Sequence, residues 1–472
     1  MEIEDFRRHG HNFVDWMADY LAGVENYPVM AQVTPGEITD RLALSAPEHG
    51  EPMERIFADF QSQILPGITH WQHPSFFAYF PANSSPPSVL AEMLTATIAP
   101  QCMLWQTSPA ATEMETRVLD WLRQMIGLPE GFEGVIQDSA SSACLCALLT
   151  ARERATKWRG NQEGLSGMAA LCVYVSEQVH SSAEKDVMVA GLGREYLRKI
   201  PVDENFAMRP DVLEEAIRED LAAGRIPCCV VATLGSTGVG AVDPLRPIGD
   251  ISRRHGIYLH VDAAWAGSAL VLPEWRWMID GIEAADSFAF NPHKWLFTNF
   301  DCCAHFVRSG ADLVRTLDIL PPYLKTREGD QVIDYRNWSV PLGRRFRALK
   351  LWFVLRSYGV VEIRRRIAAH IRMAGEIAAL IEAAEDFEIL APLSIALFNF
   401  RFHPKGINDD SELDRLNERL LLALNDSGDL YLTQNDVRGA FAIRFSVGQT
   451  DTEPRHVMLA WQAIQETARN LA

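Results

Sequence analysis

The sequence predicts an α/β protein: a mainly parallel central sheet covered by helices, with an N-terminal helical segment before it and a smaller α+β domain after it. Three observations predict this. Between residues 86 and 349 short β-rich runs, "ALCVYVSE", "CCVVATLG", "IYLHVDAA" and "SFAFN", alternate with helical stretches. The runs are apolar on both faces, as strands must be when helices cover a parallel sheet on both sides. At 472 residues the chain is also too long for one simple core. After about residue 350 the pattern changes to a long helix followed by "IALFNFRF" and "AFAIRFSVG", which marks a separate domain over 350–472.

The segment 1–85 opens with apolar residues at helical spacing, Phe6, Phe13, Trp16, Met17, Tyr20 and Leu21. A second helix is expected from about Pro52 to Leu65, after the connection "YPVMAQVTPGEI". Apolar helices with no core of their own need a partner surface, and a second subunit could supply it.

Composition excludes several classes. The formal charge is −18 and no block of lysine and arginine occurs, which argues against nucleic-acid binding. The start, "MEIEDFRRHGHNF", lacks the apolar core of a secretory signal, and no stretch reaches the ~18–20 apolar residues of a membrane span. A cytoplasmic protein is expected. Eight cysteines, at 102, 144, 146, 172, 228, 229, 302 and 303, lie mostly in apolar segments. Adjacent ones on a strand face opposite ways, and "CLC" has no histidine nearby, so they read as small buried hydrophobes and not as metal ligands.

The chemistry starts at "SFAFNPHKWLFTNFD", residues 287–301, where Lys294 stands in an apolar run. An unpaired ammonium is costly to bury. Two readings are open: a lysine snorkelling from a strand end, or an amine joined as an imine to a carbonyl cofactor. Ligands of open α/β sheets gather at strand carboxyl ends, where "IYLHVDAAWAG" offers Asp262. A lysine for the carbonyl and an aspartate for a ring nitrogen are what pyridoxal phosphate needs. Alone, Asp262 could equally cap a helix. "GVIQDSASSACLCALLTARERA" places Ser139, Ala140 and Ser141 at a helix start, where N–H groups favour a phosphate or simply form a cap. In "VSEQVHSSAEKD", His180 could stack on a ring or be an ordinary loop histidine.

Taken together, "NPHKW", "HVDAAWAGS", "QDSASSACLCALL", "QVHSSAEK", "ATLGSTGVGAVDPL", "HWQHPSFFAYFPAN" and "DYRNWSVPLGRRFRALKLWF" closely resemble the aromatic L-amino acid decarboxylases. These are group II pyridoxal-phosphate-dependent decarboxylases of fold type I, and a bacterial-type member is expected. The resemblance spans essentially the whole chain. It implies Lys294 as Schiff-base lysine, Asp262 as ring-nitrogen partner, His180 stacked on the ring and Ala264 beneath it. It implies phosphate contacts from Ala140, Ser141, Ser287, Asn291 and His293, with Thr237 beside the lysine. It implies a homodimer with shared sites, in which Trp71, Phe80, Pro81, Ala82, Met103 and Gly343 bind substrate. By the same resemblance, the Pro-bounded segment 317–341 closes over the partner's site and Tyr323 delivers the final proton.

The chain departs from the pattern in places. Relatives carry Gly-Ser/Thr-Ala-Ser-Glu-Ala where this chain has Asp138-Ser139-Ala140-Ser141-Ser142-Ala143. Ala82 replaces a threonine able to meet a catechol hydroxyl, and Met103 stands in place of an aromatic residue. The expected reaction is decarboxylation of an aromatic L-amino acid. The competing readings are an aromatic aldehyde synthase, against which Tyr323 and His180 both argue, a fold type I aminotransferase, and a non-catalytic scaffold of the same fold.

Overall fold

The computed structural model describes residues 1–319 and 331–471. Tyr323 lies outside the described residues. The chain forms two compact units, one of residues 1–81, 373–391 and 398–472, the other of residues 82–372 and 392–397. This differs from three consecutive segments, because backbone pairing joins the N-terminal stretch to the C-terminal one. Phe76 bridges Tyr431, the Val29 N–H donates to the Gly428 carbonyl at 2.8 Å, and the Ser446 N–H donates to the Phe77 carbonyl at 3.1 Å.

The larger unit is built on a sheet of seven strands: β1 (Glu133–Gln137), β2 (Leu171–Ser176), β3 (Leu197–Ile200), β4 (Ile226–Thr233), β5 (Tyr258–Asp262), β6 (Ser287–Phe290) and β7 (Cys303–Val307). Their order is β1-β7-β6-β5-β4-β2-β3. β7 runs antiparallel to both β1 and β6, and the other pairs are parallel. Since β1 opposes β7 and β7 opposes β6, β1 points the same way as β6. Every strand but β7 therefore presents its carboxyl end at one edge. β2 and β6 are buried along their whole length, which is why their sequences are apolar without alternation.

The helices of eight residues or more among the described residues are α1 (Ile3–Gly23), α2 (Pro86–Ile98), α3 (Pro109–Ile126), α4 (Ala140–Ala155), α5 (Ser181–Val189), α6 (Pro210–Ala222), α7 (Leu245–His255), α8 (Gly310–Leu317), α9 (Arg347–Glu382), α10 (Asp410–Ser427) and α11 (Pro454–Leu471). α4 covers the sheet: Cys144, Ala147, Leu148 and Ala151 pack on Val173 and Val175 of β2, Cys229 and Val231 of β4, and Ala183, Val187 and Ala190 of α5. All eight cysteines are free and buried, and burial pushes their thiols up, Cys146 and Cys228 to about 12.

The smaller unit holds β8 (Phe387–Ser394), β9 (Leu397–Phe402), β10 (Thr433–Val437) and β11 (Ala440–Ser446), in the order β10-β11-β9-β8. The β10–β11 hairpin turns at Arg438 and Gly439, both with positive φ, as a two-residue hairpin turn matched to strand twist requires. The aromatic stripe of α1 has its partner here: Phe13 lies 4.6 Å from Phe57, and Trp16 meets Phe60 edge-on at 5.4 Å. The second helix covers Met53–Asp59 and continues as a wide turn to Ile64. No helix among the described residues is long and apolar enough to cross a membrane.

The turn after β4 depends on one glycine. Gly235 has φ +75°, and a Cβ added there would stand 2.6 Å from the Ala266 Cβ. Gly235→Ala should therefore lower unfolding free energy by about 1–3 kcal/mol, read as a shift in urea midpoint. An unchanged midpoint would show that the turn relaxes freely.

Candidate active site

The edge where strand carboxyl ends gather carries the residues picked out from the sequence. β5 ends at Asp262, whose Oδ1 accepts the Ala264 N–H at 2.9 Å. The Ala264 carbonyl accepts the Asn291 N–H at 2.9 Å, and the Asn291 carbonyl accepts the Lys294 N–H at 2.9 Å. The turn after β5 is thus stitched to the turn after β6, and one frame holds a carboxylate and an amine from different strands. Lys294 sits on the single helical turn Pro292–Trp295, opened by a proline whose missing N–H costs nothing there. The adjacent Trp295 is buried, stacks on Trp265 at 5.0 Å and donates from Nε1 to His370 Nδ1 at 2.9 Å.

His180 caps α5. Its Nδ1 accepts the Ser182 N–H at 3.2 Å, so the neutral ring carries its proton on Nε2. The side chain is open to solvent on one side, yet its pKa lies below the usual value. Desolvation is the larger cause and the Lys294 charge the second, while Asp262 pulls the other way. The ring is therefore within electrostatic range of both Lys294 and Asp262.

β1 leads to a donor-rich helix start. Ser139 caps α4, its Oγ accepting the Ser142 N–H at 3.2 Å. The Ala140 and Ser141 amides then stand in the first turn of a 16-residue helix, where an anion is favoured. The additional acid, Asp138, accepts the Ser139 hydroxyl at 3.1 Å and so steadies the cap. From the β6 turn, His293 accepts the Cys302 N–H on Nδ1 at 2.9 Å, leaving Nε2–H to donate. Burial, then the Lys294 charge, lowers its pKa to about 3, so the ring is neutral. Asn291 Oδ1 is buried without a hydrogen-bond partner among the described residues, and an amide flip offers a donor at the same point.

Ser287, implied by the resemblance as a phosphate contact, stands deeper in the sheet. It is the first residue of β6, not part of the turn, and lies about 13 Å back along the strand from Asn291 at ~3.3 Å per residue. Its Oγ is 2.7 Å from His260 Nδ1, both buried inside the sheet layer. Thr237 is half-buried in the β4 turn, where the Gly235 and Ser236 N–H groups both donate to the Ala241 carbonyl, at 2.8 and 3.0 Å. Ala264 is half-buried two residues past Asp262.

The expected substrate residues divide between the units. Trp71, Phe80 and Pro81 belong to the smaller one, where Trp71 stacks on Tyr79 at 5.8 Å and the Arg444 guanidinium lies 4.5 Å over Phe80. Ala82, Met103 and Gly343 belong to the larger one. Met103 and Gly343 share a strap: the Met103 carbonyl accepts the Arg336 N–H at 3.0 Å, and the Arg344 N–H donates to Gln101 Oε1 at 2.8 Å.

Sequence reasoning missed two supporting acids. Asp243 accepts the Thr233 and Met208 N–H groups, each at 2.7 Å, and fixes the end of β4; burial raises its pKa to about 6. Asp186 is buried in α5 at a position where the helix is otherwise apolar. That misfit was the signal available.

Sheet and site together define a class, the fold type I pyridoxal-phosphate enzymes. The chain belongs to the pyridoxal-dependent decarboxylase family, whose conserved domain matches residues 35–403. Tyrosine decarboxylase 3 of Petroselinum crispum is 42% identical, covering 99% of this chain and 92% of its own. Phenylacetaldehyde synthase of Arabidopsis thaliana is 43% identical, covering 100% and 97%. The crystal structure of Oryza sativa TDC with PLP and tryptamine matches with a TM-score of 0.97 at 36% identity, over 100% of this chain and 99% of that one. Catharanthus roseus tryptophan decarboxylase in complex with L-tryptophan matches at 0.93 and 38%, over the same shares. These are plant proteins, so the likeness runs to plant-type members and not to the bacterial type expected.

The enzyme is a pyridoxal-phosphate-dependent carboxy-lyase, and the residues present fit the cofactor. They combine amide and Nε2–H donors for phosphate, a buried unsatisfied amide, a lysine and a carboxylate on one frame.

Neutral histidines govern acid stability. His260, His293, His305 and His370 are all buried with pKa values lowered to about 3, chiefly by desolvation. Unfolded, each takes a proton near 6.5 that the native state refuses. Their stabilisation is complete above about pH 6.5 and is lost as pH falls toward 3. Between pH 7.5 and 5.5 each should cost about 1.4 kcal/mol, seen as a steep drop in melting temperature. His305→Gln should lessen the slope, and a flat profile over this range would contradict the assignment.

Proposed function

We propose that this enzyme decarboxylates aromatic L-amino acids to the arylethylamine and carbon dioxide at a site centred on Lys294, Asp262 and His180. The observation that carries the reading is the hydrogen-bonded frame joining Asp262 to Lys294, with His180 feeling the charge of both. Aromatic amino acid relatives across the whole chain support it.

When bound, pyridoxal phosphate supplies an electron sink for the bond that breaks at Cα. The chain's residues do the rest. Lys294 Nζ would hold the cofactor through its carbonyl carbon. Asp262 would pair with its ring nitrogen. His180 would cover the ring. Ala140, Ser141, Asn291 and His293 would hold the phosphate, and Thr237 and Ala264 would border the ring. Rate comes from orienting the Cα–carboxylate bond and stabilising the charge that develops. Tyr323, by resemblance, hands the proton to Cα.

The working form is a cytoplasmic homodimer with shared sites. Ile3 and Phe6 of α1 remain 70% and 60% exposed, which supports a covered face in a dimer, and eight free cysteines suit a reducing compartment. By resemblance, the substrate residues are Trp71, Phe80, Pro81, Ala82, Met103 and Gly343. A Cβ on Gly343 would stand 3.2 Å from Gln101 Nε2, so any side chain there would crowd the strap, and glycine leaves room for a large ring.

Borohydride reduction of the holoenzyme should attach the cofactor to the peptide containing residue 294, and Lys294→Ala should abolish turnover with the fold intact. Labelling of another lysine would overturn the site. In a carbon dioxide release panel, tryptophan and phenylalanine should compete well with DOPA. Ala82 cannot donate a hydroxyl, and such a neutral hydrogen bond is worth about 0.5–1.5 kcal/mol. Glutamate turnover would refute the aromatic reading. Tyr323→Phe should lower kcat by ~10²–10⁴ with substrate affinity nearly unchanged, and unchanged amine output would remove Tyr323 from the mechanism. Sedimentation that found a fully active monomer would dispose of the shared site.

A further inference from the structure

Asp138 carries its charge in an awkward place. It directly precedes the Ser139 cap of α4, whose first amides are the expected phosphate donors. A carboxylate beside a phosphate opposes it by like charge, so this acid needs its charge engaged elsewhere. Its Oδ1 accepts the Ser139 hydroxyl at 3.1 Å, and it makes no ion pair among the described residues.

Opposite charge is close at hand. On the open edge of β1, the Ile136 N–H donates to Glu115 Oε1 and the Ile136 carbonyl accepts Arg344 Nη2, both at 2.8 Å. Arg344 Nη2 also donates to Glu115 Oε1 at 2.6 Å, and the two side chains are only 2% and 4% exposed. The next residue, Gln137, donates from Nε2 to the Trp338 carbonyl at 2.8 Å. The end of β1 is thus bound to the strap just before Asp138 begins the turn into α4. One donor is left over. Arg344 Nη1 is buried without a hydrogen-bond partner among the described residues, a costly condition for a charged group. A cavity of about 30 Å³ is bordered by Arg344, Asp138 and Ser339 together. That is room for one water, which needs a few polar partners to be held. Arg347, on the same cavity, is engaged by Asp301 at 3.0 and 3.1 Å.

We propose that one water in this cavity joins Asp138 to Arg344 and makes Asp138 a positioning residue for the phosphate turn. The water accepts from Arg344 Nη1 and donates one proton to the Asp138 carboxylate. Its other proton goes to Ser339 Oγ, whose own proton is given to the Pro341 carbonyl at 3.1 Å. The bridge draws the carboxylate's charge toward a buried cation and ties the turn 138–141 to the strap that carries Gly343. The Ala140 and Ser141 amides then stand preset for an anion, with the acid's repulsion offset. This rests on the reading of that helix start as the phosphate site.

The test is the dissociation constant of pyridoxal phosphate from the full-length protein, read from cofactor absorbance. It compares wild type, Asp138→Ala, Asp138→Asn, Ser339→Ala, the double variant Asp138→Ala/Ser339→Ala, and Ala140→Pro. Asp138→Ala and Asp138→Asn both remove the charge, but only the amide still meets the water. Asp138→Ala should therefore bind the cofactor about 2–10-fold more weakly than Asp138→Asn, the effect of one lost hydrogen bond. Ser339→Ala should weaken wild type similarly and add nothing to Asp138→Ala, because both changes break one bridge. A crystal structure of the holoenzyme should show a water within hydrogen-bond reach of Arg344 Nη1, Asp138 and Ser339, which decides the matter if Asp138→Ala folds poorly. The inference is wrong if Asp138→Ala and Asp138→Asn bind alike, if the Asp138→Ala and Ser339→Ala effects add, or if no water stands between these groups. Ala140→Pro deletes one donor at a position where a helix accepts proline, and it should bind the cofactor more weakly than wild type. If it binds as tightly, the phosphate reading fails and the inference with it.

Discussion

Three hydrogen bonds of 2.9 Å carry the site: Asp262 Oδ1 to the Ala264 N–H, the Ala264 carbonyl to the Asn291 N–H, and the Asn291 carbonyl to the Lys294 N–H. Each is worth only about 0.5–1.5 kcal/mol to stability. Their effect is geometric. They tie the turns after β5 and β6 into one unit, so the acid and the amine at its ends cannot move apart independently. The sheet makes this possible, because β7, inserted antiparallel between β1 and β6, leaves β1, β5 and β6 pointing the same way. The donor-rich helix start, the carboxylate and the lysine then arise on one edge from segments far apart in sequence.

Around that frame the interior suppresses charge. His293 and His180 are held as neutral rings with Nδ1 engaged by backbone, which leaves Nε2–H groups as the available donors. His260 and His305 behind them are neutral by burial. Thiols along α4, β4 and β7 are pushed far above neutrality and act as packing groups.

Much of this was legible in the sequence, and the reasons are specific. A lysine inside "FNPHKWLF" and an aspartate ending "IYLHVD" conflict with their apolar settings, and such conflicts tend to mark function. The doubly apolar runs gave β2, β4, β5 and β6 because helices cover both faces. Three features were hidden. The direction of β7 depends on pairing across the sheet, which local composition does not encode. The pairing of Ser287 with His260 inside the sheet layer joins residues 27 apart in sequence, which no local pattern announces. The grouping of residues 1–81 with the C-terminal stretch depends on bridges such as Phe76 to Tyr431, paired across more than 300 residues of sequence.

The central claim is that the carboxylate at the end of β5 meets the cofactor's ring nitrogen while Lys294 holds its carbonyl carbon. The most direct measurement is nitrogen NMR of the holoenzyme carrying cofactor labelled with ¹⁵N in the ring. The account predicts a protonated ring nitrogen in wild type, and loss of that proton in Asp262→Asn with the cofactor still attached to residue 294. An unprotonated ring in wild type, or a protonated one indifferent to Asp262→Asn, would contradict it.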